Sequence, residues 1–304
     1  MRTGRRSAEA VGGLFIVAAS FQFGIVVVLG KILTRGPRAL DVPTMLAVRF
    51  AFGAVLLLAV LAVLRRPALP ARTERVPLAF LAMFGYAVEA SLFFLAATHG
   101  EAAAVTLLFF TYPILVTLGS MALGQGAPGW MIGASLLCAL AGASLVILAS
   151  GGLAITGLGV LFALGAATVY SGYLLGADRV LRRTDALAGA MWVSLFASLA
   201  LAVVALVTGH AEVPRGLRQW APLFGMGAAT AGAFVCLFAG LRRLGPVRTA
   251  IVAATEPLSA TVLAFLFLDE PIRAGVVGGG VLILAGAVTA SLARVAPEAE
   301  PEVP

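Results

Sequence analysis

The sequence predicts an all-α integral membrane protein with ten transmembrane helices, arranged as two inverted five-helix repeats. Three observations carry this prediction: a high apolar content, ten apolar segments of membrane-spanning length, and a motif that recurs at a fixed distance. Of the 304 residues, 61% are hydrophobic and only 12% are charged, whereas soluble domains average about 45–50% and about 25%. Mean hydropathy is +1.04, so a lipid bilayer is the expected surrounding medium.

The ten segments follow one another with short connections, and each holds about 20 residues, enough to cross a hydrocarbon core of about 30 Å. The predicted spans, numbered 1 to 10 in chain order, are 11–33, 42–64, 77–98, 102–123, 129–148, 155–177, 186–208, 220–241, 247–268 and 272–292. Span 2 is opened by Pro43, and no charged residue lies between Glu101 and Asp178. Residues 1–10 and 294–304 are expected to be cytoplasmic tails around repeats at 11–148 and 155–293.

A sequence repeat relates the two halves. Thr111-Tyr112-Pro113 lies 144 positions before Thr255-Glu256-Pro257, and Ala141-Gly142-Ala143 precedes Ala285-Gly286-Ala287 by the same distance. Because proline has no N–H, Pro113 and Pro257 predict kinks in spans 4 and 9. Each half has an odd number of spans, so the two halves must insert in opposite directions. This predicts inverted repeats around a site near the membrane midplane.

The basic residues indicate the orientation of the chain. With the N-terminus in the cytoplasm, the inner loops carry fourteen Lys and Arg residues and the outer loops carry six. The positive-inside rule then favours a cell inner (plasma) membrane protein with both termini cytoplasmic. The first outer loop is more basic than the rule expects. The formal charge of +7 does not indicate nucleic acid, since these residues lie in short loops without interleaved aromatic side chains.

Three charged residues lie deep inside predicted spans, away from the span ends. A carboxylate in a bilayer interior costs roughly 2.5–3.5 kcal/mol, so Glu89 and Glu256 are candidates for a cavity. The alternative for both is a structural ion pair or a buried neutral acid. Arg49 in span 2 could bind a substrate carboxylate, but a structural pair or snorkelling towards the surface is the favoured interpretation.

Aromatic and polar residues supply further candidates. Tyr86, Glu89 and Phe93 fall on one face of span 3, and Tyr170 and Tyr173 on one face of span 6. Packing is the alternative role for such a stripe, and it is the role expected for Phe109 and Phe110. The full set of candidate substrate-binding residues is Glu89, Tyr86, Phe93, Gln22, Tyr112, Tyr170, Tyr173, Trp192, Glu256 and Arg49, with Pro113 and Pro257 as hinges.

Other classes of function find little support. His99 and His210 lie at span ends and form no H-E-x-x-H motif, and no G-x-S-x-G motif occurs, so no metal, cofactor or catalytic residue is predicted. Phosphorylated substrates would need several cations in the site. Small-xxx-small faces at Gly275 and Gly279, and at Gly129 and Gly133, allow either packing within the protomer, which is favoured, or a homodimer.

The pattern resembles the drug/metabolite transporter superfamily, and within it the ten-span EamA-type exporters. The matching features are Glu256-Pro257, the turn Leu268-Asp269-Glu270-Pro271, the glycine-rich span 10, Arg49-Phe50 and Tyr112-Pro113. The chain departs from this pattern at Gln125-Gly126-Ala127, where an acidic turn would be expected in the first half. Among these families it looks most like the amino-acid exporters, including those of aromatic amino acids. The resemblance implies export of neutral amino acids, including aromatic and other large apolar ones, or of related small metabolites, by alternating access through a midplane cavity. A multidrug or cationic-compound exporter is the alternative.

Overall fold

The computed structural model describes residues 2–34, 39–125, 128–150, 154–181, 183–268 and 271–292. These residues contain ten helices that are long and apolar enough to cross a membrane, as the sequence predicts. Three of the spans carry an internal irregularity. In chain order, the helical segments are Arg2–Leu33 (span 1), Val42–Val63 (span 2), Arg75–Phe80, Leu81–Tyr86 and Ala87–Ala97 (span 3), Ala102–Phe109 and Tyr112–Ala122 (span 4), Trp130–Ser150 (span 5), Gly157–Val180 (span 6), Ala186–Val207 (span 7), Leu217–Leu244 (span 8), Pro246–Ala253 and Glu256–Leu268 (span 9), and Ala274–Leu292 (span 10).

The observed span ends lie within three residues of the predicted ones, except at the start of span 1. There the helix begins at Arg2 and includes most of the segment that we assigned to a tail. The sequence Ala8-Glu9-Ala10 consists of strong helix formers, so nothing stops the helix before the apolar run. The predicted C-terminal tail, Gly126-Ala127 and the Asp269-Glu270 pair lie outside the described residues.

Spans 4 and 9 are each divided into two half-helices at equivalent positions. The first halves, Ala102–Phe109 and Pro246–Ala253, both contain 8 residues. The second halves begin at Tyr112 and Glu256. Each of these boundaries is displaced by the same 144 positions that separate the two sequence motifs, so the two breaks occupy the same place in their repeats, beside Pro113 and Pro257.

Span 3 is irregular in a different way. A π-helical turn, Leu81–Tyr86, connects its two α-helical parts. π-Helical turns are rare in proteins, but those that occur are often found at functional sites. The wider turn changes the direction in which the following side chains point. Here it directly precedes the segment that carries Glu89.

The helix packing between the two repeats is symmetric: a contact between two spans recurs between the counterparts of those spans. Span 1 packs on spans 8 and 9, and span 6 packs on spans 3 and 4. Spans 2 and 7, 4 and 9, and 5 and 10 each pack against their own counterpart. A pseudo-two-fold axis produces this pattern. With five spans in each repeat, the axis lies in the membrane plane and the repeats are inverted.

Glycines allow spans 5 and 10 to cross at close range. A Cβ atom added at Gly142 would stand 2.5 Å from the carbonyl oxygen of Gly279, and one at Gly275 would stand 2.8 Å from Cβ of Ala149. The small-residue face of span 10 is therefore used for packing within the protomer. The other pair, Gly129 and Gly133, faces open space.

Candidate substrate site

A cavity of about 810 Å³ lies between the two repeats, within the range of about 300–1,000 Å³ that is typical of ligand pockets. Spans 1, 2, 3, 4, 5 and 9 contribute most of its wall, and span 6 contributes Tyr170. Its interior combines apolar and aromatic side chains with a few charged groups.

The cavity opens on one face of the molecule, which we call the mouth face. Residues at the mouth include Lys31 and Thr34 at the end of span 1, Glu101 before span 4, and Pro271 and Arg273 before span 10. Since successive spans run in opposite directions, the loops after spans 1, 3, 5, 7 and 9 share this face. The loops after spans 2, 4, 6 and 8 lie on the opposite side, the closed face.

Away from the mouth, the described lining of the cavity holds one cation and two carboxylates: Arg49, Glu89 and Glu256. Arg49 and Glu89 are each only 7% exposed, and Glu256 is half-buried. The Arg49 guanidinium lies within electrostatic range of both carboxylates and beside Tyr86, and its carbon Cζ lies 4.3 Å from the ring centroid of Phe50. Its Nε is buried and has no hydrogen-bond partner among the described residues.

Aromatic rings form one wall of the cavity. The ring of Phe93 packs edge-on against Phe109 at 5.3 Å. Phe109 lies 5.4 Å from Tyr112, and Tyr112 meets Tyr170 edge-on at 4.9 Å. Edge-to-face pairs of this kind hold their rings rigidly and contribute about 0.5–1.5 kcal/mol each beyond area burial. The wall therefore offers a fixed apolar surface beside the charged groups.

Two buried hydroxyls contact the break in span 9. Ser20 Oγ in span 1 donates to the carbonyl oxygen of Ala253 at 3.4 Å. The Tyr112 hydroxyl in span 4 donates to the carbonyl oxygen of Ala250, also at 3.4 Å. The equivalent break in span 4 receives a hydroxyl from span 6, since Ser171 Oγ donates to the carbonyl oxygen of Tyr112 at 3.2 Å.

Seven of the ten candidate side chains line this cavity, and Pro257 lines it as well. The seven are Arg49, Tyr86, Glu89, Phe93, Tyr112, Tyr170 and Glu256. Arg49 lines the cavity and also lies within electrostatic range of two buried or half-buried carboxylates, so its predicted structural pairing and its place in the cavity wall are compatible. Pro113 is buried next to Tyr112 but is not part of the wall.

The other three candidates lie outside the cavity wall. Gln22 Nε2 donates to the carbonyl oxygen of Ala18 at 3.1 Å and to Cys236 Sγ at 3.6 Å. Trp192 Nε1 donates to the carbonyl oxygen of Ala68 at 3.0 Å. Tyr173 is buried behind Tyr170, with which its ring stacks at 6.0 Å.

Phe109 and Phe110, which were expected to pack, lie against neighbouring aromatic rings and also line the cavity. Sequence reasoning also missed Phe23, Met226 and the charged residues at the mouth. Phe109 had a usable signal: it is the last residue of the half-helix that precedes the Tyr112-Pro113 motif. Phe23 and Met226 are apolar residues in apolar helices, and their sequence context does not distinguish them from lipid-facing neighbours.

Polar contacts hold the closed face together. Arg248 at the start of span 9 pairs with Glu9 of span 1 at 3.6 Å, and both side chains are buried. Glu74, before span 3, accepts from Thr184 Oγ1 and from the Arg183 amide. Arg66 pairs with Asp185 at 3.2 Å, but this pair is largely exposed. These contacts join the loops after spans 2 and 6 and fasten spans 1 and 9.

Two inverted five-helix repeats surround an aromatic-walled cavity that contains a few charged groups and opens on one face. This arrangement defines the molecule as a multi-pass membrane transporter of the inverted-repeat class. The sequence profile of the EamA-like transporter family matches residues 10–148 and 157–292, one copy in each repeat. The chain belongs to this family, which lies within the drug/metabolite transporter superfamily.

Comparison with solved structures supports the same fold. One crystal structure superposes on the chain with a TM-score of 0.78 at 19% sequence identity, covering 93% of this chain and 97% of its own. At this level of identity the likeness shows the fold alone. No curated protein matches the sequence significantly.

Proposed function

We propose that this EamA-family transporter exports neutral amino acids, including aromatic and other large apolar ones. The observation that carries the proposal is the presence of Arg49, Glu89 and Glu256 in one aromatic-walled cavity. A neutral amino acid is a zwitterion, so its site must satisfy a carboxylate and an ammonium group together. Arginine suits the carboxylate because its planar fork can donate two parallel hydrogen bonds. The two glutamates suit the ammonium.

The aromatic wall accounts for the side-chain preference in this proposal. Phe93, Phe109 and Tyr170 present ring surfaces next to Glu89 and Arg49. An ammonium group held near a ring face gains a cation–π attraction, and an apolar amino-acid side chain packs on the same rings. A site for export also needs modest affinity, since a ligand that binds too tightly is not released. We therefore expect broad and weak recognition.

The two broken spans support an alternating-access cycle in this proposal. The first half-helix of span 4, Ala102–Phe109, borders the open cavity, and only Ala104 and Val105 are buried in it. Its counterpart in span 9, Pro246–Ala253, is buried at seven of its eight positions. If the half-helix of span 4 became buried and that of span 9 came to border an open cavity, the mouth face would close and the closed face would open. With both termini in the cytoplasm, the present state faces outwards.

Transport by the purified protein in liposomes tests the substrate class. Phenylalanine should be transported, whereas phenethylamine lacks its carboxylate, hydrocinnamate lacks its ammonium, and both should compete poorly. Arg49→Gln should reduce phenylalanine transport by roughly ten-fold or more, the effect of losing a charge-assisted hydrogen bond. If hydrocinnamate and phenethylamine compete as well as phenylalanine, the zwitterion site is refuted.

The alternative substrate is a lipophilic cation, which is favoured by the two carboxylates that lie around one arginine in the inner part of the cavity, away from the mouth. For such a substrate Arg49 would be a repulsive charge. Arg49→Gln would then raise transport of a tetraphenylphosphonium probe, while Glu89→Gln and Glu256→Gln would lower it. The opposite responses of the two substrates to Arg49→Gln separate the two functions within one set of proteoliposomes.

A further inference from the structure

We propose that Ser20 and Tyr112 are positioning residues, whose hydroxyls hold the break in span 9 and thereby fix the place of Glu256 in the cavity. Ser20 and Tyr112 belong to the first repeat. Both hydroxyls donate to main-chain carbonyls of the second repeat.

The two carbonyls they bind are those that the break leaves without helical partners. Pro257 has no N–H, so the carbonyl of Ala253 cannot receive the usual bond from four residues ahead. The Ala254 amide bonds the carbonyl of Ile251 at 3.2 Å, one residue short of the helical pattern, and this leaves the carbonyl of Ala250 free. A buried carbonyl without a partner is costly, so Ser20 and Tyr112 stabilise this particular geometry of the break.

The position of Glu256 depends on that geometry. It is the first residue of the second half-helix, three positions beyond Ala253. The half-helix before it is almost entirely buried. The two hydroxyls approach this anchored segment from span 1 and from span 4, so they determine the angle at which the second half-helix leaves it.

The ring and the hydroxyl of Tyr112 contact different parts of the protein, and this changes the expected role of the residue. In the repeat it is the counterpart of Glu256, and its ring forms part of the cavity wall. Its hydroxyl, however, is directed to the Ala250 carbonyl. Tyr112 was predicted to bind substrate; its hydroxyl instead holds the other repeat, and Arg49 serves as the donor for a substrate carboxylate.

A thiol-labelling experiment tests the positioning role without any substrate. In a variant with Cys138 and Cys236 replaced by alanine, Glu256→Cys is exposed to a small water-soluble thiol reagent, and the labelling rate is measured. Ser20→Ala and Tyr112→Phe should each make labelling faster by roughly two- to ten-fold, the range that one buried hydrogen bond allows. A looser break lets water reach position 256. An unchanged or slower rate would overturn the proposal.

Matched controls remove hydroxyls that do not contact the break. Ser194→Ala and Tyr173→Phe delete buried hydroxyls that have no hydrogen-bond partner, and they should leave the labelling rate at position 256 unchanged. A reporter at Thr106→Cys, in the cavity but on the first half-helix of span 4, should also be unaffected by Ser20→Ala. Equal acceleration at both reporters would indicate general loosening and refute a specific effect on Glu256.

A double-mutant cycle gives a second test, which rests on the proposed function and covers the case that Glu256→Cys does not fold. Ser20→Ala should raise the apparent KM for phenylalanine with little change in kcat, and this effect should shrink to under about half in a Glu256→Gln background, since coupled residues are non-additive. The same factor in both backgrounds would show that Ser20 acts elsewhere. If phenylalanine is not transported while labelling responds, only the proposed function fails.

Discussion

Glu89 illustrates how one buried side chain is made available to a ligand. It follows the π-helical turn of span 3, lies on the same side as Tyr86 and Phe93, and lines the cavity although it is only 7% exposed. A carboxylate in this position needs a cationic partner, and Arg49 lies within electrostatic range. In the inner part of the cavity two carboxylates share this one arginine, so that part can accept one more positive group.

Glu89→Gln keeps the shape of the side chain and removes its charge. We expect transport of a zwitterionic amino acid to fall by roughly ten-fold or more, because a charge-assisted hydrogen bond to the ammonium is lost. The amount of folded protein and its thermal midpoint should stay near the parental values. A well-folded Glu89→Gln variant that transports phenylalanine at the parental rate would exclude Glu89 from the site and leave Glu256 as the better candidate.

At the residue scale, the sequence predicts which charged or aromatic residues lie inside a span better than it predicts the direction of their side chains. The depth of Glu89 and Glu256 within apolar runs was a sufficient signal. Tyr170 and Tyr173 share a face of span 6, yet only Tyr170 reaches the cavity, because the rings of Tyr86 and Tyr170 cover Tyr173. That covering depends on how spans 3 and 6 meet, which spacing within one span does not specify.

Among whole elements, the half-helices were the most predictable and the π-helical turn the least. The repeated proline motif placed both breaks, since a proline removes a specific hydrogen bond wherever it lies in a helix. The turn at Leu81–Tyr86 has no such marker. Gly85 within it lies against the ring of Tyr173, so this irregularity is associated with a contact from a distant part of the chain.

The crossing of spans 5 and 10 leads to a prediction about stability. Gly142→Ala places a methyl group 2.5 Å from the Gly279 carbonyl oxygen, a main-chain atom that cannot move aside easily. We expect a loss of about 1–3 kcal/mol, as is usual for an overpacked contact, measured as a lower thermal midpoint in detergent. Gly133→Ala on the same span meets open space and should not lower it. Equal effects would show that the crossing is looser than described.

At the scale of the whole molecule, a buried ion pair distinguishes the two faces. Glu9 and Arg248 are buried at the closed face. Their counterparts in the other repeat are Gly157 and Ala104, at offsets of 148 and 144 positions, which carry no charge. The pair therefore stabilises closure on one side only, and it favours the state in which the mouth is open.

Glu9→Gln should destabilise the protein, since removing one partner of a buried ion pair costs about 3–5 kcal/mol. Arg66→Gln removes the exposed pair with Asp185 on the same face, which contributes about 0–1 kcal/mol. Thermal unfolding of both variants in detergent compares them directly. If Arg66→Gln lowers the midpoint as much as Glu9→Gln does, burial is not what makes the Glu9 pair matter.

The proposed orientation predicts which faces reagents can reach. Arg72, Arg183 and Arg215 are all exposed, the first two on the closed face and the third in the loop after span 7. Single cysteines at these positions should react with an impermeant reagent added to intact cells only at Arg215→Cys. Labelling at Arg72→Cys and Arg183→Cys but not at Arg215→Cys would reverse the topology and, with it, the direction in which the cavity faces.

The packing of each repeat on the other has a consequence for the ancestry and the chemistry of the site. Each span packs mainly on helices of the other repeat, as two separate subunits would in an antiparallel homodimer. In such a dimer every position in the cavity would occur twice, so both ends of a ligand would meet identical groups. Joining the two copies in one chain frees them to diverge, and the pair Tyr112 and Glu256 shows that they have. A molecule with unlike ends, one acidic and one basic, needs such a divided site.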